Sequence, residues 1–195
     1  MIKKEFKNRL DAEYPSVVNQ FTKKLPLPPA VTLALILSLL YILHIVTCWG
    51  CGEYEQLVYD WATPFGAFTG FYLLSVYLYL EKKVKNYSMI VGQLTELKDE
   101  TYQNIYERFI FLAFRSRGMV LFCLGILILG NIVLGVRGLW YGSFLANFWL
   151  LIEMNLVLIG GALDLWLMIC TSLMLHGIGK QPMRINPFHH DGMGG

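Results

Sequence analysis

The side chains in this sequence that could do chemistry are few, and most sit inside apolar runs. His44 is the only readily ionisable residue between Ala30 and Trp49. Glu153 and Asp164 interrupt a run from Phe144 to Ile178 that otherwise lacks Asp, Glu, Lys and Arg, and Asn131 interrupts the run from Met119 to Val136. An acid at the centre of a bilayer costs several kcal/mol and turns toward protein or water. Such residues form a proton, ion or ligand site, or they act as interhelical hydrogen-bonding glue. Histidine is the side chain whose charge changes nearest neutral pH. Glu153 and Asp164 are eleven residues apart. At about 100° per residue that is three turns plus roughly 20°, so both share one helix face with Gly160 and Thr171. The two acids would be about 16 Å apart along the axis.

Four apolar stretches must position these groups: 30–49, 64–80, 119–136 and 144–178. Crossing about 30 Å of hydrocarbon takes roughly 20 apolar residues. The first three fit one span each. The fourth is too long for an untilted span and too short for two, and reads as one helix protruding into the cytoplasm, with a kink expected at Gly160-Gly161. The composition agrees. Hydrophobic residues make up 55% of the 195 residues and charged ones 15%, whereas a soluble domain carries about a quarter charged. A cytosolic globule, a disordered tail and a disulfide-dense secreted domain are excluded. The expected fold is all-α, an integral membrane four-helix bundle with a cytoplasmic amphipathic helix.

Fifteen of the sixteen Lys and Arg residues lie in 1–29, 81–117 and 179–195, and the remaining one is Arg137. Basic residues stay with cytoplasmic loops. Both termini and the 81–117 loop are therefore expected inside a cell membrane. Trp49, Trp61, Trp140 and Tyr141 would form the outer aromatic belt. The first run begins too late and is too long for a cleavable leader, so it reads as an uncleaved anchor.

Depth counted from the outer end of each span puts four polar residues at similar levels. His44 is five residues below Trp49, Thr69 five inside Pro64, Asn131 five below Val136 and Glu153 nine inside Phe144. The expected cluster is His44 with Glu153, supported by Asn131 and Thr69. Asp164 would sit alone, nearer the inner side. Gly66 and Gly70, spaced Gly-x-x-x-Gly, read as close-packing positions.

Cys48-Trp49-Gly50-Cys51 is a Cys-x-x-Cys at the outer end of the first span, in an oxidising position, and reads first as a structural disulfide or a pair of free thiols. The spacing suits a redox dithiol. Over these four residues and the span count it resembles the membrane oxidoreductases that generate disulfides in bacteria. The 137–143 loop contains no cysteine, so the relay between two pairs found in that family cannot be built. Cys123 and Cys170 lie in apolar runs and read as inert.

Residues 102–114 repeat apolar side chains at helical spacing: Tyr102, Ile105, Tyr106, Phe109, Leu112 and Ala113. This helix is expected to lie in the inner headgroup layer or to dock a partner. Residues 1–24 are basic with scattered Ile2, Phe6 and Leu10, which suits an anionic leaflet. The tail carries His189, His190 and Asp191 in a glycine-rich turn ending in Gly194-Gly195, read as a polar loop ahead of further chain; no metal site is expected.

Nucleotide-binding, serine-hydrolase and zinc-protease signatures are missing from the sequence. No cofactor is implied. The dispersed basic surface fits lipid better than nucleic acid. The expected partners are the bilayer and either a second copy or another membrane protein. The leading expectation is a non-enzymatic sensing or anchoring module. A small proton, ion or solute transporter or channel subunit using His44, Glu153 and Asp164 ranks second, and a thiol–disulfide oxidoreductase using Cys48 and Cys51 third.

Overall fold

The computed structural model describes residues 27–59, 62–94, 99–137 and 141–180. These residues form six helices and no strand: α1 (Pro29–Gly50), α2 (Tyr54–Tyr59), α3 (Ala62–Leu94), α4 (Asp99–Phe114), α5 (Arg117–Arg137) and α6 (Phe144–Gly179). Three helical stretches among them are long and apolar enough to cross a membrane: Pro29–Gly50, Glu100–Gly135 and Phe144–Gly179. The expectations for residues 1–26, Trp61, Trp140 and the tail with His189, His190 and Asp191 lie outside the described residues.

Local chemistry sets the helix ends. Pro28 and Pro29 open α1, where a missing N–H costs nothing, and the first turn closes through Thr32 N–H to Pro28 O at 2.9 Å. At the other end Glu53 N–H donates to Cys48 O at 2.8 Å and Gly52 N–H to Trp49 O at 3.2 Å. This paired closure requires a left-handed residue between, and Gly52 supplies it with φ +76°. Ser116 caps α5 by accepting the Met119 N–H at 3.2 Å. Ser143 caps α6 in the same way, accepting the Ala146 N–H at 3.2 Å.

The described residues divide into two units, one within 27–78 and 120–165 and one within 79–119 and 166–180. In the first, α6 is the shared partner. Cys48 packs with Ala146 and Leu150, while His44, one turn earlier, reaches Glu153; α1 and α6 are therefore antiparallel. Asn131 of α5 donates to Asn155 at 2.7 Å. Glycines of α3 and α6 bring those two helices together. A Cβ on Gly66 would lie 3.1 Å from Met154 Cε, one on Gly70 3.4 Å from Val157 Cγ2, and one on Gly160 3.0 Å from Leu73 Cβ. The order of these contacts makes α3 and α6 parallel.

In the second unit the apolar face of α4 is covered by protein. Tyr102, Tyr106, Phe109, Ile110, Ala113 and Phe114 are buried, with Tyr102 and Tyr106 stacked at 6.1 Å. The expectation of a face left to the headgroup layer is corrected accordingly, since these aromatics find a dry surface within their own chain. Leu112 O accepts two hydrogen bonds, from Trp166 Nε1 at 3.1 Å and from the Ser116 hydroxyl at 2.8 Å. The Trp166 ring lies over Gly118, where a Cβ would meet Cη2 at 3.2 Å.

The helix containing 64–80 runs on to Leu94, so much of the expected 81–117 loop is helical. Gly70, Leu74, Tyr77 and Glu81 form one buried stripe. Their spacing of four, three and four residues keeps one face inward past the end of the apolar run. The α6 run is a single helix of 36 residues, about 54 Å long at 1.5 Å per residue.

Candidate functional site

Most polar side chains on the apolar helices satisfy themselves locally. Asn155 Nδ2 donates to Leu151 O at 2.8 Å, Thr171 Oγ1 to Leu167 O at 2.8 Å and Ser172 Oγ to Met168 O at 2.9 Å. Asn131 donates to Leu127 O at 2.8 Å as well as to Asn155. Bonding back to the carbonyl one turn earlier removes the cost of carrying an amide or hydroxyl into an apolar medium.

The ionisable groups behave differently. His44 is 0% exposed and Glu153 3%. His44 Nδ1 lies 3.2 Å from Glu153 Oε1, close enough to pair but not aligned as a hydrogen bond. Among the described residues, His44 Nε2 and Glu153 Oε2 have no hydrogen-bond partner. Asp164 is also buried, and its Oδ1 is unpartnered. Ser75 Oγ and Trp149 Nε1 share that condition, but neither changes charge near neutral pH.

Several elements hold this pair in place. The Tyr141 ring meets His44 edge-on, with centroids 5.7 Å apart. Tyr141 is itself buried in a cluster with Cys48, Leu57, Ala146 and Leu150. Its place in the aromatic belt is thereby corrected: the ring packs inward, whereas Trp49 is 74% exposed. The reason is Asn147, which accepts the Tyr141 N–H and donates to Tyr141 O at 2.6 Å and to Ser143 O at 2.9 Å. Those bonds fold residues 141–143 back onto the start of α6.

Of the residues picked out by depth, His44 and Glu153 come together. Asn131 and Thr69 do not hydrogen-bond to them; Asn131 pairs with Asn155, and Thr69 is half-buried on α3. Asp164 makes no ion pair among the described residues. The cysteines of the Cys-x-x-Cys are unlinked, Cys48 buried and Cys51 exposed. Cys48 faces the apolar cluster and Cys51 caps the helix end, so only one of the two is open to an external thiol. No group of three or more His, Cys, Asp or Glu capable of holding a metal occurs among the described residues.

Three participants escape sequence reasoning. Asn155 is the true partner of Asn131. Glu53 accepts from Ser143 N–H at 2.6 Å and from Ser143 Oγ at 2.8 Å, a tie across 90 residues that no spacing rule reveals. Glu81 is 2% exposed within the second unit, and extending the Gly70-Leu74-Tyr77 periodicity past Leu80 would have found it.

Comparison with protein-family models, curated proteins and solved structures returns no match for this chain.

Proposed function

We propose that this chain is a four-span membrane module that senses or anchors rather than catalyses, with His44 and Glu153 as its responsive element. In this reading α1, the 64–80 part of α3, α5 and α6 cross the bilayer, and both ends and the 81–117 segment lie in the cytoplasm. The outward faces support it. Leu35, Leu39 and Val46 on α1, Phe65, Phe68 and Tyr72 on α3, Leu121, Ile128 and Leu129 on α5, and Met168 and Leu173 on α6 are all exposed. Such surfaces suit acyl chains and are poorly suited to water. The distribution of Lys and Arg supports the orientation.

The observation that carries the sensing role is the contrast in hydrogen bonding. The amides of Asn131 and Asn155 and the hydroxyls of Thr171 and Ser172 bond to carbonyls of their own helices, whereas His44 and Glu153 lie together, closed to solvent, with an unpartnered atom each. Moving a proton at that pair changes a buried electrostatic interaction and so biases how α1 sits on α6. Infrared difference spectroscopy on protein in liposomes, stepped between about pH 5 and about pH 8 where histidine changes charge, tests this. A carboxylic-acid band should respond to pH, and one component of it should shift in His44→Gln and be lost in Glu153→Gln while the contribution of Asp164 stays. A wild-type spectrum with no such band would overturn the proposal.

Transport of protons or cations is a second reading, favoured by the unpartnered Glu153 Oε2 and Asp164 Oδ1. Proton flux in the same liposomes that disappears in Glu153→Gln would select it over sensing.

A further inference from the structure

We propose that residues 141–143 are a latched lid over the His44–Glu153 pair, with Tyr141 as the plug and Glu53 as the latch. This inference rests on the preceding reading only for what the pair does, since closure of the site is a property of its own. Tyr141 lies edge-on to His44, 5.7 Å between centroids, and also covers Cys48, which is fully buried. The loop is held from two sides. Asn147 binds it from within α6, through the backbone of Tyr141 and Ser143. Glu53 binds it from the α1–α2 connection, one carboxylate oxygen on the Ser143 N–H and the other on its hydroxyl, at 2.6 and 2.8 Å.

These two anchors are not equivalent. The Asn147 bonds are local and travel with α6. The Glu53 bonds join segments 90 residues apart, so they tie the loop to the α1–α2 connection and must break for the loop to leave it. Both go to a charged acceptor, the stronger class of hydrogen bond. The sequence around them is fitted to the contact. Gly52 turns the chain after α1 and delivers Glu53. Gly142 leaves room for the carboxylate, because a Cβ there would lie 2.8 Å from Glu53 Oε1. Ser143 both caps α6 and receives the latch, so release of Glu53 leaves the α6 cap intact. The lid can therefore open without unravelling the helix beneath it.

Cys48 is a native reporter of this opening, and Cys51 next to it is an exposed control. The experiment is thiol labelling of the full chain in detergent or liposomes with a small maleimide, each cysteine followed separately by peptide mass spectrometry. In the wild type Cys51 reacts and Cys48 is protected. Glu53→Gln removes the charge at constant shape, and Gly142→Val pushes the carboxylate aside. Each should speed Cys48 labelling by about tenfold, the shift expected on losing one hydrogen bond to a charged group. The buried Cys170 of the other unit should keep its wild-type rate. Glu55→Gln, an exposed acid two residues away, should change nothing.

Unchanged Cys48 protection in Glu53→Gln and Gly142→Val would overturn the lid, as would Cys48 and Cys170 accelerating together, which signals general unfolding. The readout does not depend on proton movement. A latch-dependent Cys48 with no pH-responsive carboxyl band would refute the sensing role and leave the lid standing.

Discussion

Replacing the members of the buried pair one at a time and then together separates a coupled pair from two isolated polar residues. His44→Leu leaves Glu153, 3% exposed, with no partner at all. Breaking a buried ion pair from one side costs about 3–5 kcal/mol, most of it the price of the stranded charge. The lower end is expected here, about 3 kcal/mol, because a carboxyl in an apolar medium can take up a proton instead of staying ionised. Glu153→Leu strands an imidazole, which is cheaper to bury in its neutral form; about 1–2 kcal/mol is expected, the cost of an unsatisfied polar group. In His44→Leu/Glu153→Leu both polar groups are gone and apolar side chains fill their places next to Ile45, Leu150 and Met154. Such replacements come out near neutral, so the double variant should lie within about 1 kcal/mol of the wild type. The assay is reversible unfolding in mixed micelles followed by helical circular dichroism. Additive losses, with the double variant the least stable of the three, would refute the pairing and the reasoning built on its geometry.

The glycine contacts give a second prediction. Gly160→Val should destabilise the first unit by about 1–3 kcal/mol through overpacking against Leu73, while Gly125→Val, with nothing within 4 Å of its Cβ, should be tolerated; thermal melts in detergent compare them. Ser116→Ala removes the α5 cap and one of the two bonds to Leu112 O, and should lower stability by about 1 kcal/mol, read in the same melts.

What could be read from the sequence follows the physics of each signal. Apolar runs and helical period are local properties, so the all-helical character and the apolar stretches Pro29–Gly50 and Phe144–Gly179 are legible, while of Glu100–Gly135 the sequence marks only the part from residue 119 as a span. Depth counting put His44 and Glu153 level because both lie on helices whose ends are marked, by Trp49 and by Phe144. It failed to place Asn131 because depth carries no information about azimuth: Asn155 sits on a different side of α6 from Glu153, two residues or about 200° away. By residue type alone Tyr141 reads as an interfacial aromatic. Its inward turn depends on the three bonds from Asn147, a tertiary feature without a composition signal. The extension of α3 past Leu80 was hidden by Glu81-Lys82-Lys83, charges that mimic the end of a span although Glu81 keeps the inward face. The Glu53–Ser143 tie was invisible for a simpler reason: it joins two loops that only the packed helices bring together.

Everything in the proposed function depends on acyl chains surrounding the exposed leucines, isoleucines and phenylalanines of these helices. The most direct measurement follows the chain through cell fractionation, an alkaline wash of the membrane pellet and then detergent. The expected result is full retention in the pellet through the wash and release only when detergent is added. A chain that leaves with the wash and sediments as a single species in detergent-free buffer would contradict it.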